Sequence, residues 1–207
     1  MNTILSIIRS VNVKHISPIV QLLLDEKIQD IEISLSDGEN GLECIRELDK
    51  NFRVSTLNLG VGTVINKQQV DLSLKAGAKY IIMPGWERDL VRYILGLRVE
   101  VIPGVLSPSE VMQAVNEGLN LLKLFPAGSV GIGYLKSLFG PFPDIKVIAV
   151  GGVNSQNARD FIDAGCVTLG IGSELVPRGA TGDDLEKIRA NIRTFFKAIG
   201  RTTNTKE

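Results

Sequence analysis

Three segments of the chain share one design: LKAGAKYIIM at 74–83, VNEGLNLLKL at 115–124 and IDAGCVTLGI at 162–171. Each passes from the end of a helical pattern, through a glycine, into a short apolar run. Gly77, Gly118 and Gly165 stand where a helix stops, because glycine enters the left-handed region without a Cβ penalty. The run after each glycine is rich in Ile, Val and Leu, the composition of a parallel strand covered on both faces. Working outward, the runs KYIIM (79–83), NLLKLF (120–125) and CVTLGI (166–171) join ILSII (4–8), DIEISL (30–35), VSTLNLG (54–60), RVEVI (98–102) and IKVIAV (145–150) as eight candidate strands. Between them lie amphipathic stretches with helix-start signals: Ser17-Pro18, Ser107-Pro108, Asn66 and Asn154. Strand starts recur every 19 to 26 residues, little more than a strand, a helix and two loops require. Eight such units predict an α/β fold, a (β/α)8 TIM barrel in a single compact domain over 1–200. The alternative is an open doubly wound sheet, which the lack of a G-x-G-x-x-G after the first strand disfavours. The segment RTTNTKE (201–207) reads as a polar tail.

Composition narrows the chemistry. The 207 residues carry 23 Lys+Arg against 23 Asp+Glu and are 44% hydrophobic. That balance suits a folded domain and argues against a nucleic-acid or anionic-membrane binder. One histidine and two cysteines, Cys44 and Cys166, cannot build a usual zinc site or a disulfide framework, so neither metal nor cofactor is expected. The start, MNTILSIIRS, lacks the pattern of a signal peptide, and no run reaches transmembrane length, so a cytoplasmic location is expected. His15 reads as a solvated loop residue between the first strand and first helix. Cys44 and Cys166 read as packing residues, Trp86 as loop packing, and ERDLVR (87–92) as the wet face of a helix.

Two charges interrupt apolar strands: Glu32 in DIEISL and Lys123 in NLLKLF. Alternation sets Glu32, Ser34 and Ser36 on one face and Ile31, Ile33 and Leu35 on the other. Likewise Leu121, Lys123 and Phe125 share a face opposite Leu122 and Leu124. In a barrel the apolar set meets the helices, so the carboxylate and the amine point inward. A structural Glu–Lys ion pair would explain them. So would chemistry, since burial favours the free amine, which attacks carbonyls, and a carboxyl nearby can shuttle protons for the imine.

The seventh and eighth candidate strands end in AVGGV (149–153) and LGIGS (169–173). Glycine loops at these positions form the usual barrel phosphate site, with Gly151, Gly152, Gly172 and Ser173 as donors. No G-x-x-x-x-G-K-[ST] is present, which disfavours a nucleoside triphosphate.

From about residue 4 to 177 the chain resembles the class I aldolases that act on 2-keto-3-deoxy-6-phosphogluconate, its galactonate epimer, or 4-hydroxy-2-oxoglutarate. LKLFPAG (122–128) is similar to the family's Schiff-base segment, with its lysine at Lys123. IEISL (31–35) resembles the strand of the general acid/base, at Glu32. GVGTV (60–64) matches G-A-G-T-V, which implies a pyruvate contact at Thr63. MPG (83–85), IPG (102–104) and GPF (140–142) fall in family order. The resemblance implies reversible cleavage of a phosphorylated keto-deoxy sugar acid to pyruvate and D-glyceraldehyde 3-phosphate. It also implies a homotrimer. Phe125, facing as Lys123 does, is expected to pack against pyruvate.

The chain departs from the gluconate type in two places. Ser36 stands where an arginine would anchor the substrate carboxylate, and Val150 where a threonine precedes Gly-Gly. Both resemble the galactonate type, whose I-L-R segment is matched by IIR (7–9). Arg9 is therefore the candidate carboxylate anchor, a rim salt bridge being its other reading. The alternatives are cleavage of 4-hydroxy-2-oxoglutarate to pyruvate and glyoxylate, a related phosphate-binding barrel such as a ribulose-phosphate epimerase or thiamin-phosphate synthase, and a non-catalytic sugar-phosphate-binding barrel.

Overall fold

The computed structural model describes residues 3–201. Its strands are β1 (Ile4–Ile8), β2 (Asp30–Ser34), β3 (Asn58–Gly62), β4 (Tyr80–Ile82), β5 (Glu100–Ile102), β6 (Gly104–Val105), β7 (Leu121–Leu124), β8 (Lys146–Val150) and β9 (Thr168–Ile171). The helices are α1 (Val13–Asp25), α2 (Glu39–Phe52), α3 (Lys67–Ala76), α4 (Arg88–Gly96), α5 (Pro108–Asn116), α6 (Ala127–Phe139), α7 (Ala158–Asp163) and α8 (Leu185–Ala198). The strands lie parallel in the order β5-β4-β3-β2-β1-β9-β8-β7-β6.

Each of the eight expected runs holds a strand, and the ninth strand arises by division. Pro103, which has no N–H for a ladder, separates β5 from β6. The first piece pairs with β4 and the second with β7. Lys123 N–H donates to the Pro103 carbonyl, so one interrupted strand faces both neighbours and brings the ends of the sheet together. The result is a nearly closed barrel with helices alternating around it.

Two apolar layers follow from strand alternation. Leu5, Ile7, Tyr80, Ile82, Ile102, Ile148 and Val150 fill the barrel interior. Ile31, Ile33, Val61, Leu122 and Leu124 face the other way, in the larger layer under the helices.

Several start signals need correction. Helix α1 begins at Val13, capped by Asn12, whose side chain accepts from Lys14 N–H. Ser17-Pro18 therefore lies inside the helix, where Pro18 gives up one backbone bond near the end where fewest depend on it. His15 is consequently a half-buried residue of the first helical turn, not a loop residue. Asn154 organises the turn before α7, accepting from Gln156 and Asn157 N–H, while the helix itself starts four residues on. Asn66 and Ser107 do cap α3 and α5. Strand β3 starts at Asn58 because Ser55 ties back to the Phe52 carbonyl and turns the chain first. Cys44 and Cys166 are buried, and burial pushes their thiols up to about 11 and about 12. Trp86 donates to Gln113 across the loop, and the α4 charges face outward. Of the expected tail, all but Arg201 lies outside the described residues.

Candidate active site

The strands deliver Glu32 and Lys123 to the barrel interior. Glu32 has no exposed surface and Lys123 only 4%. Register sets Glu32 between Ile7 and Gly60, and Lys123 between Gly104 and Ile148. Glycines supply the room. A Cβ on Gly62 would strike the Glu32 carboxyl, and one on Gly60 would strike the Tyr80 ring. The Tyr80 hydroxyl donates to the Ile31 carbonyl at 3.2 Å.

Neither carboxyl oxygen of Glu32 has a hydrogen-bond partner. The direct structural ion pair that the sequence left open is thus not made. Burial raises the Glu32 pKa, against the opposing pull of the Lys123 and Arg9 charges. Burial lowers that of Lys123; Glu32 opposes this and Arg9 adds to it. The site therefore favours a carboxyl that keeps its proton and an amine that gives one up, a complementary acid and nucleophile.

Above this pair the strand ends carry a hydroxyl cluster. Ser34 Oγ and Thr63 Oγ1 lie 2.9 Å apart, and Ser34 Oγ donates to Ser36 Oγ at 3.2 Å. Thr63 holds a left-handed φ of 63°, an uncommon backbone for a β-branched residue and one often stored at functional sites. Ser34 shares the inward face noted in the sequence, but nothing there singled it out. Its role emerges only because β2 and β3 run in register.

A cavity of about 210 Å³ opens beside the pair. Its walls include Arg9, Phe125, Gly151, Gly152, Gly172 and Ser173, so the structure brings together all of these sequence-derived candidates. Thr63 and Ser36 form the separate cluster just described. Phe125 links Lys123 to the cavity: Lys123 Nζ lies 5.2 Å from its ring centroid, and Phe125, 38% exposed, is one of the lining residues. Arg9 stands beside Gly172, on the wall of the glycine loops.

The loop backbone suits an anion. Gly151 and Gly152 adopt φ of 84° and 75°, and a Cβ on Gly151 would come within 2.9 Å of the Phe125 ring. Gly128 N–H bonds the Gly151 carbonyl and the Asn157 amide bonds the Gly152 carbonyl, which fixes the loop. After β9, the Gly172 carbonyl accepts from Leu175 and Val176 N–H, making one helical turn. Such a turn leaves its first N–H groups unpaired and pointing outward. The cavity wall also includes Asn154, which the sequence marked only as a helix start, and Glu174, which it did not single out. Among the described residues no group of three or more His, Cys, Asp or Glu gathers as a metal site, and no helix is long and apolar enough to cross a membrane.

A family model described as "Aldolase: KDPG and KHG aldolase" matches residues 1–191. The chain is 36% identical over 141 residues to the 2-dehydro-3-deoxy-6-phosphogalactonate aldolase of Escherichia coli K12, covering 68% of this chain and 67% of that protein. It is 35% identical over 164 residues to the 2-dehydro-3-deoxy-phosphogluconate aldolase of Pseudomonas aeruginosa, covering 79% and 73%. Among solved structures, a native KDPGal structure superposes with a TM-score of 0.84 at 29% identity, covering 94% of this chain and 93% of that one.

Proposed function

Because the chain belongs to the KDPG and KHG aldolase family of carbon–carbon lyases, we propose that it is a class I aldolase. In this reading it cleaves a 2-keto-3-deoxy-6-phospho sugar acid, gluconate or galactonate type, to pyruvate and D-glyceraldehyde 3-phosphate. The observation that carries it is the co-burial of Lys123 with a Glu32 carboxyl that has no hydrogen-bond partner.

The free amine of Lys123 attacks the keto carbon, and Glu32 protonates the departing hydroxyl so that water leaves and an iminium forms. The C3–C4 bond then breaks, its electron pair moving into the iminium to give an enamine. Glu32, now a carboxylate, takes the C4 hydroxyl proton as the aldehyde forms. It returns that proton to the enamine carbon, and water releases pyruvate from Lys123. Thr63 and Ser36, bridged by Ser34, offer hydroxyls to the pyruvyl end, and the Phe125 ring covers its apolar side. Arg9, which shares the cavity wall with the glycine loops, anchors the carboxylate, and the glycine loops with Ser173 hold the phosphate. In this reading the enzyme works in the cytoplasm, as its composition and start suggest, and as a homotrimer, as the family resemblance implies.

Borohydride reduction in the presence of pyruvate tests this reading. A pyruvyl adduct is expected on Lys123, located by peptide mass, and Lys123→Ala abolishes it. No adduct on any lysine would leave the non-catalytic binding barrel standing instead. Relative cleavage rates on the gluconate, galactonate and hydroxyoxoglutarate substrates then rank the three.

A further inference from the structure

Asn154 stands on the cavity wall just past the Gly151–Gly152 loop and is half-buried there. Two backbone N–H groups, of Gln156 and Asn157, donate to its side-chain Oδ1 at 2.9 and 3.2 Å. Its own backbone N–H donates to Asn157 Oδ1 at 2.8 Å, and Asn157 Nδ2 in turn donates to the Gly152 carbonyl at 2.9 Å. A side-chain amide has one acceptor oxygen and one two-proton donor, so these bonds settle which end is which. The oxygen is turned to the backbone of the turn. The Nδ2 donor is the end left over, and it bonds no described residue.

We propose that Asn154 is a further substrate-binding residue, whose Nδ2 donates to the phosphate beside the glycine loops and favours phosphorylated over unphosphorylated substrates. The inference rests on reading this cavity as the phosphate seat. The Asn154 backbone N–H is spent inside the turn, so the side chain supplies the donor that the backbone cannot at this position. Phosphate oxygens near neutral pH are mostly without protons, and a group that only donates suits them. A substrate hydroxyl in the same place would gain a neutral bond, whereas a phosphate oxygen gains a charge-assisted one, roughly twice as strong. The donor is also held ready. Two bonds to Oδ1 fix the amide before any ligand arrives, so little side-chain freedom is lost on binding.

Asn154→Ser and Asn154→Asp both keep an oxygen to accept from Gln156 and Asn157 N–H, and so keep the turn. Serine ends short of the Nδ2 position and removes the donor, whereas aspartate sets a charged oxygen there. Calorimetry with inorganic phosphate on the resting enzyme needs no imine chemistry. Asn154→Ser is expected to weaken phosphate about tenfold, the size of one bond to a charged group, and Asn154→Asp to weaken it further. In turnover, Asn154→Ser should raise KM for a phosphorylated 2-keto-3-deoxy sugar acid by a similar factor. KM for the unphosphorylated acid of the same stereochemistry should stay within about twofold. A loss shared equally by both substrates means a turn that has merely loosened, and overturns the proposal. Phosphate affinity within about twofold of the wild type in Asn154→Ser overturns it too. Should that variant fail to fold, unchanged phosphate affinity in Asn154→Asp does the same. Pyruvate carries no phosphate, so its borohydride adduct on Lys123 should form in both variants as in the wild type. An adduct with unchanged phosphate affinity removes Asn154 alone. No adduct in the wild type, with a clear phosphate effect, removes the aldolase reading and leaves Asn154 in its role.

Discussion

A carboxyl group sealed from water with no hydrogen-bond donor is expensive, and Glu32 is such a group. Its raised pKa means that the folded protein holds a proton which the unfolded chain releases from about pH 4.5 upward. The stability it contributes is complete below that ordinary value and is lost as pH rises through the folded one. Glu32→Gln removes the titration while keeping the shape. Its melting temperature should exceed that of the wild type by roughly 2–4 °C at pH 8, the gap closing toward pH 4.5. Its turnover should fall about 10²–10⁴-fold. Thermal melts across pH with steady-state rates check both, and a variant less stable at every pH would refute the strain. Glu32 and Lys123 were legible in the sequence because strand alternation is local, and a charge amid Ile and Leu has few bland explanations. Arg9 was harder. Its neighbours on the cavity wall come from β8 and β9, so its grouping with the glycine loops depends on pairing between the two ends of the chain. Glu174 was passed over because a carboxylate in an exposed loop is ordinary, and only the cavity makes it notable.

At the scale of elements, local chemistry sets most boundaries. The N-terminus of α5 is a complete capping box: Glu110 N–H donates to Ser107 Oγ, and Glu110 Oε2 accepts from Ser107 N–H at 2.7 Å. Partial burial pushes the Glu110 carboxyl up, but donors from the Ser107 and Leu106 backbone and the Ser107 hydroxyl outweigh it and hold it below the ordinary value of 4.5. A depressed carboxyl contributes stability above its unfolded pKa and loses it as pH falls through the folded one. Glu110→Ala should therefore lower the melting temperature by roughly 2–4 °C at pH 7, with a smaller deficit below about pH 4. A deficit that persists undiminished in acid would mean the carboxylate charge contributes nothing. The Ser-Pro signal that marks α5 misleads at α1. Asn12 reaches Lys14 N–H first, and the helix is already under way at Pro18. The strands were readable as runs, yet the division of the fifth was not. RVEVI ends before Pro103, and whether Gly104–Val105 resumes pairing is decided by β7 across the ring.

For the whole molecule, several apolar side chains stay exposed at the barrel surface. Helix α5 buries Val111 and Ala114 on the barrel, yet Met112 is 51% and Val115 42% exposed, beside Leu106 at 40%. Ile65 is 63% exposed next to the Thr63 loop. Light scattering on the purified protein should give about three times the 22.5 kDa chain mass, in line with the homotrimer proposed above. A monomeric mass at micromolar concentration would refute that assembly.

The placement of β1 between β2 and β9 also bears on how the protein is made. A chain leaving the ribosome carries Arg9, Glu32 and Lys123 well before the strand that seals the ring. Until residues 168–171 emerge to meet Ile4, Leu5 and Ser6, β1 lacks one of its two neighbours and the ring of strands stays open. In the proposed reading, the dry interior that favours the free amine of Lys123 is therefore among the last features that synthesis completes.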